Sequence, residues 1–425
     1  MKQLSLIIFC LLAIQLCPAQ PRYAVRVSGY GGKILPLSKN IEHTATGIVS
    51  GGEVTVDFLP QNNYNWEQFW NYPTCGVGVL MLDMGNAAIL GQSLSVYPYL
   101  LTPVVKSDYF ILNYKVGVGL SFFTKTWNRC DTLSGVNSLT ANSAIGSIVN
   151  AYITTGAFME FPIWKGFSAT AELGYSHMSN GSILQPNGGL NILYGEVGAK
   201  YTFNQEKVSF GLKNPTLHLP YSFALNMTFS GGAREHYHLD NKSYPVFSLH
   251  LGYSHVMTDI YTFGGGFDFF YDGAFVQQGT RGEKSYRQHT HYERYFIDTE
   301  SVSNKFRIGV SLNNAFIIGR VTGILDWGIY LYDPLRNANP QPHKKHGYNR
   351  PIIYSYNIDK EDGWNYFRLG VRVRVLDNLY VQAAMKTHLQ KAEMVEFGIG
   401  YQLPFAKRNQ HETLVSKHSY GIYHP

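Results

Sequence analysis

The sequence predicts an all-β fold: an antiparallel transmembrane outer-membrane β-barrel of about 16 strands, arranged as two eight-stranded halves. Three observations predict it. A period-2 alternation of apolar and polar residues recurs along the chain, the composition is rich in Tyr and Gly but poor in charge, and the N-terminus is of export type.

Charged residues make up 15% and aromatic residues 15% of the 425 residues, with 31 Tyr and 42 Gly. Past the first twenty residues no apolar run approaches the roughly 20 residues of a spanning helix. A barrel strand crosses with only about 9–11 residues, and those that point inward can be polar. Tyr and Trp suit the interface girdles of such a barrel. A large soluble β-sandwich or soluble barrel is the competing class.

Lys2 supplies a positive n-region, Leu4 to Leu16 an apolar h-region and Ala19-Gln20 a small-residue cleavage site, so residues 1–20 read as a signal peptide. Cys17 raises lipidation, but Leu16 is a poor fit for the residue that precedes a lipidated Cys. Export leaves Cys75 and Cys130, which an oxidising compartment allows either to pair or to stay apart. The formal charge of +6 is compatible with anionic headgroups and gives no sign of nucleic-acid binding.

Strands are predicted over 22–31, 48–58, 75–85, 91–101, 108–123, 145–161, 166–178 and 190–203, then over 219–232, 244–256, 260–272, 304–317, 321–333, 365–375, 379–389 and 394–405. Each set of eight ends after a Gly-containing alternating strand, with Gly195 and Gly198 in one and Gly398 and Gly400 in the other, which reads as a duplication. The predicted divisions are 1–20, a first barrel half 21–203, a second half 204–405 and a basic tail 406–425. A single continuous barrel is favoured over two barrels in tandem. The geometry matters, because a small barrel fills its interior with side chains whereas one of 16 strands leaves a channel. Long polar segments at 125–144, 274–303 and 335–363 contrast with short turns at Pro162 and Asp377-Asn378, the loop asymmetry of outer-membrane barrels.

One strand carries chemistry. From Phe167 the odd positions read Phe167, Ala169, Ala171, Leu173, Tyr175, His177, Ser179, and the even positions Ser168, Thr170, Glu172, Gly174, Ser176, Met178. Successive side chains point to opposite faces. His177 and Ser179 therefore end an apolar, lipid-facing row, about 7 Å apart at the backbone and within reach of each other. A Ser hydroxyl needs such a base to act as a nucleophile. In the next strand Asn191 opens the outward row at the same end and can orient the imidazole, whereas Glu196 lies in the lumen register. With the N-terminus in the periplasm, strand parity places this end at the outer leaflet.

His177-Met178-Ser179-Asn180-Gly181, followed by Gln185-Pro186-Asn187-Gly188-Gly189, resembles the PagL family of lipid A deacylases, the acyloxyacyl hydrolases. Tyr72-Pro73 with Gly76 and Gly78, and Ala144-Ile145-Gly146-Ser147 with Asn150, are similar to its Bacteroidetes members. The resemblance covers roughly residues 22–203. It implies an eight-stranded outer-membrane barrel that hydrolyses an ester-linked acyl chain of lipid A, with Ser179 as nucleophile, His177 as base and neither metal nor other cofactor. It also implies oxyanion stabilisation by Asn187 and by a backbone N–H in the turn of Asn180, Gly181 and Ser182. The family's acidic member falls at Asn191, where the charge is lost; in the serine-protease template such a change lowers turnover about 10⁴-fold.

The expected function is an outer-membrane serine esterase whose partner is lipopolysaccharide in the outer leaflet. The alternative is a non-enzymatic barrel, a porin or transport protein, that retains the signature. Tyr253-Ser254-His255 and His388 read as non-catalytic. The glycines at 264–266 lie in a strand and form no phosphate loop. His236-Tyr237-His238 and His289-Thr290-His291 read as solvated loop residues in preference to a metal site.

Overall fold

In a computed structural model of the chain, the residues described are 22–37, 39–61, 65–128, 142–204, 219–235, 242–273, 295–296, 302–333, 339–340, 365–388 and 391–407. The predicted leader, the tail beyond Lys407, Cys130 and the histidines at 236, 238, 289 and 291 lie outside them. No helix among the described residues is long and apolar enough to cross a membrane.

The first eight strands are β1 Tyr23–Ile34, β2 Ile48–Phe58, β3 Thr74–Asp83, β4 Gln92–Lys106, β5 Ile111–Phe123, β6 Val149–Trp164, β7 Phe167–Ser179 and β8 Leu190–Thr202. The others are β9 Tyr221–Glu235, β10 Ser243–Thr258, β11 Tyr261–Asp272, β12 Tyr295–Phe296, β13 Phe306–Ile318, β14 Val321–Tyr332, β15 Asn339–Pro340, β16 Asn365–Arg374, β17 Leu379–His388 and β18 Lys391–Lys407. β12 and β15 form a separate two-stranded pair. Each of the sixteen long strands overlaps one that the alternation predicts, and the bounds shift by up to five residues: β4 runs on to Lys106, β6 starts at Val149 and β18 extends from Lys391 to Lys407.

The long strands close into two barrels, which corrects the expectation of one continuous wall. β8 returns to pair antiparallel with β1 from Ala24↔Thr202 to Ile34↔Ile192, so neither strand keeps a free edge to offer the second half. β18 closes on β9 in the same way, from Phe397↔Gly231 to Lys407↔Tyr221. Closure removes every edge that would otherwise present unpaired backbone groups to lipid.

The walls follow the strand period. In β7 Ser168, Thr170, Glu172 and Ser176 are buried in the lumen, while Leu173 is 68% exposed on the outside, as is Val197 of β8 at 70%. A barrel of eight strands has room inside for its own side chains and little else. In the first lumen Arg26 lies 2.9 Å from Glu53, 3.7 Å from Glu172 and 3.6 Å from Glu196, and Lys115 lies 2.9 Å from Glu172. Tyr97 donates to Glu53 and Tyr99 to Asp57. In the second, Arg368 bridges Asp268 and Glu396 at 2.7 Å each, and Glu393 meets Arg307 and Lys386 at 2.6 Å each. Buried cations and carboxylates thus pair inside both lumens.

The tyrosines divide between two roles. Tyr23, Phe167, Tyr201 and Phe203 cluster on the outside at the end opposite Ser179, as a girdle does. Tyr30, Tyr97, Tyr99, Tyr152 and Tyr194 instead fill the lumen. Inward glycines make room for them: a Cβ on Gly76 would stand 2.3 Å from the Tyr99 ring, and one on Gly174 2.4 Å from that of Tyr194.

The barrels also meet each other at both ends. At one end Trp70 Nε1 donates to the Ile317 carbonyl at 2.7 Å. At the other, Ser182 Oγ donates to the Ala392 carbonyl at 2.6 Å.

Arg26→Met leaves the lumen carboxylates short of a cation, and unpairing a buried charge costs about 3–5 kcal/mol. Urea unfolding of the chain in lipid vesicles is expected to show a loss of that size; a change under about 1 kcal/mol would contradict the role given to the network.

Candidate active site

β7 and β8 form a hairpin in which His177 stands directly opposite Asn191 and Tyr175 opposite Leu193. All four point outward by the alternation of their strands. The His177 Nδ1 is 2.7 Å from Asn191 Oδ1, and its Nε2 is 2.9 Å from Ser179 Oγ. With Asn191 Oδ1 as acceptor, the network assigns the ring proton to Nδ1 and leaves the Nε2 lone pair facing the Ser179 hydroxyl. Tyr175 donates its hydroxyl to the same Asn191 oxygen at 2.5 Å. That oxygen has two lone pairs, and the two donors fill them. Although these residues belong to the outer face, Ser179 and Asn191 are 3% and 2% exposed.

The cover comes from the β7–β8 connection. Ile183 N–H reaches back to the Asn180 carbonyl at 3.4 Å, and Gly181 and Ser182 have φ of 64° and 72°. Positive φ at both central positions makes this a type I′ turn. Asn180 N–H donates to Asn187 Oδ1 at 3.0 Å, which turns the Asn187 NH₂ away from that contact. Among the described residues no acceptor takes that NH₂ or the N–H groups of Gly181 and Ser182. Donors without an acceptor, grouped beside a nucleophile, are what an oxyanion requires.

The connection is clamped from outside the hairpin. Gly188 and Gly189 donate to the Ser143 and Ala144 carbonyls at 3.0 Å each, and Asn180 Nδ2 donates to Ser147 Oγ at 2.9 Å. A Cβ on Gly146 would lie 2.4 Å from the Pro186 carbonyl oxygen, which accounts for the small residue in Ala144-Ile145-Gly146-Ser147. Gly189 has φ of 69°, and a Cβ there would stand 3.0 Å from His177 Cε1.

The structure brings Ser179, His177 and Asn191 into one hydrogen-bonded chain and joins Asn180 to Asn187 beside it. Gly181 is in the adjoining turn. Ser182 offers only its backbone, because its hydroxyl is spent on Ala392 of the second barrel. Two further residues at the site carry no signal in the sequence. Tyr175 shares the outward row with His177, but a Tyr in an apolar row reads as lipid-facing. Glu235 accepts the Gln185 N–H at 2.9 Å from 50 residues away in sequence, and local spacing gives no sign of it.

Other polar groups fall elsewhere. Glu196 faces the lumen and accepts the Ser28 hydroxyl at 2.9 Å. His388 lies in the second lumen, 2.9 Å from the Tyr330 hydroxyl. His255 stacks on Phe223 with centroids 4.7 Å apart, and Ser254 bonds the Ala224 carbonyl. A polar cavity lined in part by His250, Ser254, Asn313, Asp326 and Arg372 opens within the second barrel, remote from Ser179.

Comparison with known proteins gives a match over each barrel. Residues 51–200 match the family model described as lipid A 3-O-deacylase (PagL). Residues 222–351 and 351–407 match the acyloxyacyl hydrolase C-terminal domain. No curated protein matched the chain. Among solved structures, a crystal structure of the outer membrane enzyme PagL is 17% identical, covering 41% of this chain and 97% of that one, with a TM-score of 0.27. The attachment invasion locus protein Ail of Yersinia pestis is 11% identical, covering 44% of this chain and 100% of that one, with a TM-score of 0.26.

A fluorophosphonate probe is expected to modify Ser179, and His177→Ala to abolish the reaction. Gly189→Ala, which pushes on the imidazole, is expected to slow labelling about 10²-fold. Labelling that is indifferent to both changes, or that falls on another residue, would contradict the arrangement.

Proposed function

The chain belongs to the PagL family of lipid A deacylases, and from that premise we propose that it is a serine esterase that removes an ester-linked acyl chain from lipid A in the outer membrane. The observation that carries the proposal is the unbroken chain of hydrogen bonds from Ser179 through His177 to Asn191 on the outer wall.

Strand parity supports the location. If β1 enters from the periplasm, β7 runs outward and Ser179 ends at the outer leaflet, where an ester of lipid A meets the wall from the side. His177 Nε2 takes the Ser179 proton as Oγ attacks the ester carbonyl carbon. The tetrahedral oxyanion is received by Asn187 Nδ2 and by a backbone N–H of the Gly181-Ser182 turn; such donors are worth about 10²–10³ in rate. His177 then passes the proton to the departing sugar oxygen, and the acyl group stays on Ser179. Water, deprotonated by His177, attacks this second ester and releases the fatty acid.

Asn191 holds the imidazole in the required tautomer but brings no charge to offset the imidazolium. Tyr175 keeps the Asn191 oxygen turned toward Nδ1 by occupying its second lone pair. The ion pairs inside each lumen favour this reading over a porin or transporter, because they occupy space a channel would need.

Mass spectrometry of lipid A from cells carrying the chain is expected to show loss of one acyl group, and Ser179→Ala to restore the unmodified pattern. Identical patterns in a host whose lipid A carries the ester would count against the enzyme. Asn191→Ala is expected to lower kcat about 10²-fold and Asn191→Asp to raise it about tenfold, since the Asp supplies the missing charge. An Asn191→Ala chain with unaltered kcat would remove Asn191 from the mechanism.

A further inference from the structure

The turn next to Ser179 is held by the second barrel. Ser182 has φ of 72°, a conformation that a residue with a Cβ keeps only when its surroundings impose it. Those surroundings come from the seam where β9 meets β18. Ser182 Oγ donates to the Ala392 carbonyl at 2.6 Å, and the Ser182 carbonyl accepts the Glu235 N–H at 3.1 Å. Glu235 Oε2 then accepts the Gln185 N–H at 2.9 Å, so Glu235 grips the connection at two points. Gly181 lies flat against the same seam: a Cβ there would be 2.2 Å from Val395 Cγ2 and 3.7 Å from Met385 Sδ.

These contacts converge on the segment whose free N–H groups stand beside the nucleophile, and they reach it from residues 50 to 210 positions away. Rate is sensitive to such placement, since an error of about 1 Å in a catalytic group can cost 10²-fold.

We propose that the esterase site is a composite of both barrels, with Glu235 as a positioning residue that, together with Val395, sets the Gly181-Ser182 turn against Ser179. The proposal rests on the esterase reading given above. It assigns the second barrel a part in the reaction without any group of its own touching substrate.

The test uses full-length chains refolded into vesicles containing lipid A, with kcat and KM measured for wild type, Glu235→Ala, Glu235→Gln, Val395→Phe and Ser179→Ala. Heat-modifiable migration on gels reports folding. Glu235→Ala is expected to lower kcat about 10- to 100-fold while KM stays within about twofold. Glu235→Gln keeps a carbonyl acceptor for the Gln185 N–H and is expected to retain kcat within about threefold. Val395→Phe enlarges the group that Gly181 rests on and is expected to lower kcat with KM unchanged. If Glu235→Ala and Val395→Phe both fold and turn over at the wild-type kcat while Ser179→Ala is inactive, the composite site is overturned and the esterase reading stands. If Ser179→Ala keeps wild-type turnover, both fall. If Glu235→Ala and Glu235→Gln lose activity only together with heat-modifiable folding, and folded Val395→Phe is fully active, the contacts are structural and the proposal fails.

Discussion

The lumen of an eight-stranded barrel is narrow enough for inward side chains to take up most of it, and this constraint organises the molecule. Strand alternation sends half of each strand into that space, where polar groups must satisfy one another. Arg26 with Glu53, Glu172 and Glu196, and Arg368 with Asp268 and Glu396, are the result. The interior carboxylates are committed to these pairs. Chemistry on an external molecule is left to the outward rows, and in a lipid-facing row a His, a Ser and an Asn have no structural reason to be grouped. The filled lumen and the position of the site are two consequences of one geometry.

The proposed triad has a neutral third member, and the geometry around Asn191 accommodates it. Asn191 sits opposite His177 in the ladder, so backbone register alone sets their approach. A carboxamide can present either its oxygen or its NH₂, and only the oxygen gives the tautomer that leaves Nε2 free to accept. Tyr175 and His177 donate to the same atom and together select it. The arrangement secures orientation. The charge that would stabilise the imidazolium is still missing.

Much of this was legible because period 2 is a strong signal. Sixteen long strands, the outward row of β7 and the lumen register of Glu196 all follow from alternation. Closure does not, because β1 and β8 carry the same pattern whether they pair with each other or with a neighbouring half. Inward Tyr paired with inward Gly, as at Tyr99 and Gly76, also escapes, since a Tyr-rich sequence does not separate girdle from lumen. At the site, Ser179, His177 and Asn191 were readable from register, and Asn187 from resemblance to a family. Tyr175 was hidden by its apolar row, and Glu235 by distance along the chain. The contact of Ser182 with Ala392 was hidden in the same way, because no motif encodes a surface laid against another barrel.

In the proposed reaction Ser179, on the outer wall, carries the acyl group during turnover. The most direct measurement is acid quenching of the chain during reaction with lipid A, followed by mass spectrometry of its peptides. An adduct of one acyl group is expected on the peptide that contains Ser179. An acyl adduct on a different residue, or lipid A turnover that persists after Ser179 is blocked by a fluorophosphonate, would contradict it.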